Sequence, residues 1–470
     1  MKKVWTLVAV FIVLAVLIGG YLILVNRPKT AAPVAPLQEI VNLDKEKLSK
    51  ITVTSDGSVL TAVRKGEEWA LDYPYPITVD QLRADELATG VTSVSAKSVV
   101  EEDPKDLSQY GLTPPQITAK AFFTDGTQKI FRVGNKTPTE DSYYFQVDGD
   151  PKVYTVWGFV KERYRFSVSD FRDKAITPAI NPDEITYSRV RQRDGTIIEI
   201  KEKTTAEQLM TYLGFGAFIM TRPYSYTIGV DAEKSDAFIK APANISIGDF
   251  VEDRPKDLSR YGLARPWGEL LVRDKSNTLH LLFGADKDAD NMYFMIAGAP
   301  NVYTVEKSIV SFVETKAFEL ADRFAFIPNI DHVDRIDISA RGKTHVFTLT
   351  RTVKKAETEG EEDETVTAYT ADGKSAEEDD FKKNFYQQII GLVSEGALGK
   401  SVVGTPDLTI RYSLNTGSIK QAVVSFIPFD NNFYAISLNG KQSFAISKSQ
   451  VSGVLSAVDK FLAGEAPKTE

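Results

Sequence analysis

The phrase DLSQYG, residues 106–111, returns as DLSRYG at residues 257–262. Tyr110 and Tyr261 stand 261 − 110 = 151 positions apart. The echo continues in DSYYFQVDGDPKVYTV, ending at Val156, and DNMYFMIAGAPNVYTV, ending at Val305, now at 305 − 156 = 149. Two deleted residues reconcile the registers. Tyr144-Phe145 then answers Tyr293-Phe294, Val153 answers Val302, and Asp173 answers Asp322. A match held over this length marks repeated architecture. A fainter third copy, NNFYAISLNGKQSFAI at residues 431–446, offers the aromatic pair Phe433-Tyr434, a glycine turn and a closing strand, but no tyrosine-glycine phrase. All three copies open alike. ITVTSDGSVL, ITYSRVRQRDGTIIEI and IDISARGKTHVFTL place Asp56-Gly57, Asp194-Gly195 and Arg341-Gly342 between alternating apolar runs, the signal of a β-hairpin.

The phrase has a mechanical reading. Asp103 is expected to cap a short helical turn with Pro104 at its first position, and Gly111 to take the left-handed conformation that ends it. Leu112 then falls where contact with Leu107 closes a Schellman-type stop. The second copy keeps Leu258, Gly262 and Leu263 but has Arg254 in place of Asp103. Tyr110 and Tyr261 could be paired ligand platforms. An aromatic just before a glycine stop is more often packed against its own domain, and packing is the reading adopted.

The totals bound the rest. A chain of 470 residues predicts roughly two to four domains at about 100–200 residues each. With 43% apolar and 26% charged residues, most of it should fold around substantial cores. A net charge of −8 gives no footprint for nucleic acid, which is excluded as a partner. There is no cysteine, which removes disulfides and thiolate sites. The three histidines, His280, His332 and His345, lack the spacing of a helical zinc site, so no metal and no cofactor is expected. Residues 4–25, VWTLVAVFIVLAVLIGGYLILV, carry no charge, and about 20 apolar residues span a bilayer core. This stretch is expected to be an uncleaved single-pass anchor in the lipid bilayer, with the remainder outside the cytoplasm.

The expected fold is α+β: an N-terminal transmembrane helix, then three related, mainly antiparallel β-rich units, each with one or two helices. Residues 1–37 would be anchor and Pro/Ala-rich linker. The units would span 38–177, 178–328 and 329–470, the last divergent and interrupted by an acidic loop at 357–380. Alternation places Ile117, Ala119, Ala121 and Phe123 on one strand face, and Leu408, Ile410, Tyr412 and Leu414 on another. Phe381, Phe385, Ile389 and Leu392 make one helix face.

Other motifs fail on spacing. ALGKS at 397–401 has Ser394 where a phosphate loop needs glycine, and DKDADN at 286–291 lacks the central glycine and final Glu of a calcium loop. No G-x-S-x-G elbow occurs, so no catalytic residue is assigned. In TRPYSYTIG, residues 221–229, Arg222, Tyr224 and Tyr226 form the candidate binding surface for sugar or peptide.

DLSQYGLTPP, FRVG, YYFQV and VYTV behind an anchor resemble the bacterial domain-of-unknown-function family 4340. The resemblance covers nearly all of the exterior part, clearly in the first two units and weakly in the third. It implies an auxiliary envelope role beside ABC-type exporter components related to gliding-motility transport, and it brings no catalytic residues with it. The leading expectation is a membrane-anchored extracytoplasmic scaffold or binding subunit with membrane-protein partners. The alternative is a cell-envelope hydrolase acting on peptidoglycan or polysaccharide.

Overall fold

A computed structural model of the chain describes residues 37–55, 57–138, 141–355, 363–416 and 419–465. The anchor expected at 4–25 lies outside them, and among the described residues no helix is long and apolar enough to cross a membrane.

Three large antiparallel sheets repeat one strand order. The first runs, edge to edge, Glu68–Leu71, Ser58–Lys65, Leu48–Ser55, Ile117–Phe123, Gln128–Lys136, Ser142–Val147, Val153–Trp157 and Ser98–Glu101. The second runs Ile228–Gly229, Phe218–Arg222, Ile197–Glu202, Tyr187–Arg191, Gly268–Arg273, Thr278–Asp286, Asn291–Ile296, Asn301–Glu306 and Asp249–Asp253. The third runs Lys374–Ala376, Glu364–Ala371, Lys343–Lys354, Val333–Ala340, Leu408–Leu414, Gln421–Pro428, Phe433–Leu438, Lys441–Ser447 and Gly396–Ala397. In each, the opening strands step outward to one edge. A helical segment then crosses to the far side and leaves a short edge strand, and a four-strand meander runs from the centre out to it. The fold is therefore a β-rich α+β arrangement of repeated units. The turn Arg341-Gly342 shows why the opening hairpin of the third sheet falls where the sequence puts it. Both residues have positive φ, 51° and 75°, the pair a two-residue type I′ turn requires.

Strand alternation decides which face is covered. In Ile117–Phe123 the alternate residues Ile117, Ala119, Ala121 and Phe123 are buried, and the helix Gln81–Thr92 lays Ala84, Leu87, Ala88 and Val91 over the first core. Asp80 starts that helix by accepting the Leu82 and Arg83 N–H groups. The chain forms two compact units, one ending at Asp173 and the other beginning at Lys174. The repeat boundary near residue 328 separates two sheets but not two cores. Val190, Leu270 and Phe294 of the second sheet belong to the same apolar cluster as Ile336, Phe347 and Tyr412 of the third.

Three local expectations are corrected. The acidic segment 357–380 is not one loop. Glu364–Ala371 is a strand paired with Lys343–Lys354, because β-branched alternation and the buried Tyr369 and Ala371 outweigh the flanking charge. The turn of the phrase is held by Asp106 instead of Asp103: Asp106 Oδ1 accepts the Ser108 N–H at 2.8 Å, and Asp257 does the same for Ser259. The third aromatic pair is out of register. Phe426 pairs with Ile436 as Val133 pairs with Phe145 and Phe283 with Phe294. Ile436 thus takes the phenylalanine's place, and Phe433-Tyr434 lies before it.

Candidate functional site

Two constellations merit description: the repeated phrase, and the junction of the second and third sheets. In the phrase, Ser108–Tyr110 and Ser259–Tyr261 are single 3-10 turns ended by Gly111 (φ 65°) and Gly262 (φ 68°). Leu112 N–H donates to the Leu107 carbonyl at 3.1 Å and Leu263 N–H to that of Leu258 at 3.0 Å, the Schellman closure. The tyrosine then reaches back nine residues. Tyr110 O–H donates to Glu101 Oε2, and Tyr261 O–H to Glu252 Oε2, each at 2.5 Å. Both acceptors sit on the short edge strand of their sheet. Tyr144 and Tyr293 flank the donor rings at centroid distances of 4.9 and 5.0 Å. The bond to Glu101 pushes the Tyr110 phenol up to about 12.

A glycine makes room for this turn. A Cβ added to Gly134 would stand 2.2 Å from the Tyr110 carbonyl oxygen, and one on Gly284 equally close to that of Tyr261. By strand register Ile427 holds this position in the third sheet. The phrase is missing from the unit whose sheet has no space for it.

At the junction, the segment from Leu320 to Pro328 is stitched on both flanks. Asp322 N–H donates to the Gly229 carbonyl at 3.0 Å and Ala325 N–H to that of Leu392 at 2.8 Å. The Phe326 ring lies between Tyr212 (5.3 Å) and Tyr412 (5.1 Å), and Tyr386 O–H donates to the Pro328 carbonyl at 2.5 Å. The loop of the candidate binding surface packs here. Tyr224 and Tyr226 turn their rings onto Phe444 at 4.5 and 6.3 Å, and Ser225 Oγ donates to the Gln442 carbonyl at 3.0 Å. Burial pushes both phenols up. Arg222 is exposed.

The junction walls leave a cavity of about 20 Å³, bordered by Tyr212, Tyr226, Gly229, Asp322, Phe326 and Phe444, room for roughly one water. Burial holds the Asp322 carboxyl above the usual carboxylate range, against the pull of the Phe324 N–H and of Lys203. Lys203 is itself buried. Its ammonium donates to the Gly214 carbonyl at 2.5 Å, and burial draws it below its ordinary value. Alternation along Ile197–Glu202 gave no warning of an inward lysine just beyond the strand, whereas the echo of Asp173 in Asp322 was visible. Elsewhere His280 Nε2 lies 2.9 Å from Glu269, which also meets Arg191, and His345 Nδ1 lies 2.7 Å from Asp372. Among the described residues no group of three His, Asp or Glu could hold a metal.

No curated protein and no solved structure matches this chain. The family model described as Domain of unknown function (DUF4340) matches residues 69–213 and 219–392. The two starts are 219 − 69 = 150 residues apart, the repeat distance, and fall in equivalent strands, Glu68–Leu71 and Phe218–Arg222. Each match begins within one large sheet and ends past the opening strands of the next, so the matched segment recurs at the spacing of the sheets, and the chain belongs to this family.

Proposed function

We propose that the chain is a membrane-anchored, extracytoplasmic scaffold or binding subunit, auxiliary to an ABC-type transport complex, that works by contact and not by bond chemistry. The observation that carries this reading is where the echoed polar side chains go. Tyr110 closes on Glu101 and Tyr261 on Glu252 within their own sheets, so the repeated residues hold edge strands in place. The cavities support it as well. Among the described residues, three cavities, beside Tyr212, Lys343 and Lys460, each include one carboxylate, Asp322, Asp459 and Glu465 respectively, where glycoside hydrolysis needs a facing pair. Leu209, Phe215 and Phe324 are 58%, 79% and 44% exposed around the segments carrying Tyr212 and Asp322, as suits a surface that meets another protein. The apolar stretch at 4–25 and the family resemblance supply the membrane and the transport partner.

The test is affinity purification of the full chain from native membranes in mild detergent. Co-recovery of an ATPase and a permease subunit is expected. Recovery without either, together with turnover of peptidoglycan by the purified chain, would replace the scaffold with the envelope hydrolase.

A further inference from the structure

We infer that the third repeat carries a binding groove for a single-tailed amphipathic anion, an acyl chain ending in one negatively charged head. A groove of about 310 Å³ runs between the opening hairpin of the third sheet and the helix Lys448–Ala463. That volume is at the lower end of the range for small-molecule sites, about 300–1,000 Å³, so it suits one tail and is too small for two. Its base is Ile338 and Val458, both buried. Leu455 and Leu462 continue the same helix face at spacings of three and four, and the sheet leaves both partly uncovered.

The basic residues lie along the sheet side of the groove, and one carboxylate, Asp459, lies on the helix side. Arg341, Lys343 and His345 all border the groove. Arg341 meets Asp459 at 3.1 Å and His345 meets Asp372 at 2.7 Å. Lys343 has no ion-pair partner among the described residues, so its ammonium is the uncompensated charge that an anionic head would satisfy. An apolar trough with a cation at its lip selects an amphiphile over either a neutral chain or a small hydrophilic anion. The site is peculiar to the third repeat, because only there does a 16-residue helix follow the last meander strand. The first repeat has the five-residue Gly158–Glu162 at that point.

The experiment uses the full chain in amphipol and a diazirine-bearing dodecanoate, with crosslinked peptides mapped by mass spectrometry. Labelling is expected on Lys448–Ala463 and on the opening hairpin. Unlabelled dodecanoate should compete and dodecanol should compete about tenfold less well, the worth of one charge-assisted contact. Lys343→Glu, at an exposed position, should cut labelling by a similar factor, and Leu455→Glu should abolish it. Competition by lysophosphatidylglycerol equal to that of dodecanoate would support the same chemistry and name a lipid as its source. Equal competition by dodecanol, or labelling indifferent to Lys343→Glu, would overturn the proposal.

Discussion

Gly284 and Gly134 are where a single atom decides whether the repeat closes. A methyl group at Gly284 meets backbone oxygen, which cannot step aside like a side-chain end. Gly284→Ala should therefore destabilise the second unit by about 1–3 kcal/mol, the cost of overpacking. Gly453→Ala, at a helical position with open space around it, should be neutral or stabilising by up to about 1 kcal/mol. Urea midpoints of the two variants check the contrast, and equal midpoints would refute it. Tyr110 offers a second test at this scale. Its phenol lies near 10 when unfolded and about 12 when folded, so the protonated form is the one that folding favours. The stability from its bond to Glu101 is complete below pH 10 and is lost as pH rises toward 12. Tyr110→Phe should accordingly lower the urea midpoint at pH 8, and the difference from the parent should shrink toward zero by pH 12. A difference that persists unchanged would mean the hydroxyl contributes nothing through that carboxylate.

Among the elements, those with strong periodicity were legible and those settled by a neighbour were not. LTIRYSL declares its face by alternation, and Leu408, Ile410, Tyr412 and Leu414 are all buried. Phe381, Phe385, Ile389 and Leu392 are likewise inward. The helix ends at Ile390, so Leu392 lies beyond it and not on its face, and the helix carries a π-helical segment, Phe381–Tyr386, which the spacing of four could not reveal. With one more residue per turn there, Tyr386 joins Phe381 on the buried side and reaches Pro328. ETVTAYTA was hidden because its charged flank dominated the window, although its own alternation is plain. Proline beside Asp103 suggests a helix start there, whereas Asp106 stands closer to the Ser108 N–H that needs a partner. Caps are local, and their cost can be predicted. Asp80→Ala removes the acceptor for two N–H groups of Gln81–Thr92 and should cost about 1 kcal/mol. Asp80→Ser should recover most of it. Denaturation of both variants checks this, and a Ser variant as unstable as the Ala one would show that the cap bond is not what Asp80 supplies.

For the whole molecule, the sequence disclosed three sheets but not how many cores they make, because a repeat records what each copy has in common and a junction is built from what differs. Phe326, Tyr212 and Tyr412 lie outside the echoed phrases, yet their packed rings join the second sheet's surroundings to the third. The two sheets should therefore lose structure together. Phe326→Ala removes a buried ring from the centre of that group and should cost about 3–5 kcal/mol. The loss should appear in hydrogen exchange as faster opening at both Tyr187–Arg191 and Leu408–Leu414, strands of different sheets. Phe250→Ala serves as the comparison. Its ring meets Tyr303 within the second sheet, and its effect should be greater near Asn301–Glu306 than in the third sheet. If Phe326→Ala accelerates exchange in one sheet while the other keeps its protection, the second and third repeats are independent folding units that merely touch. The cavity beside Asp322 would then be a feature of their contact surface and not of a common interior.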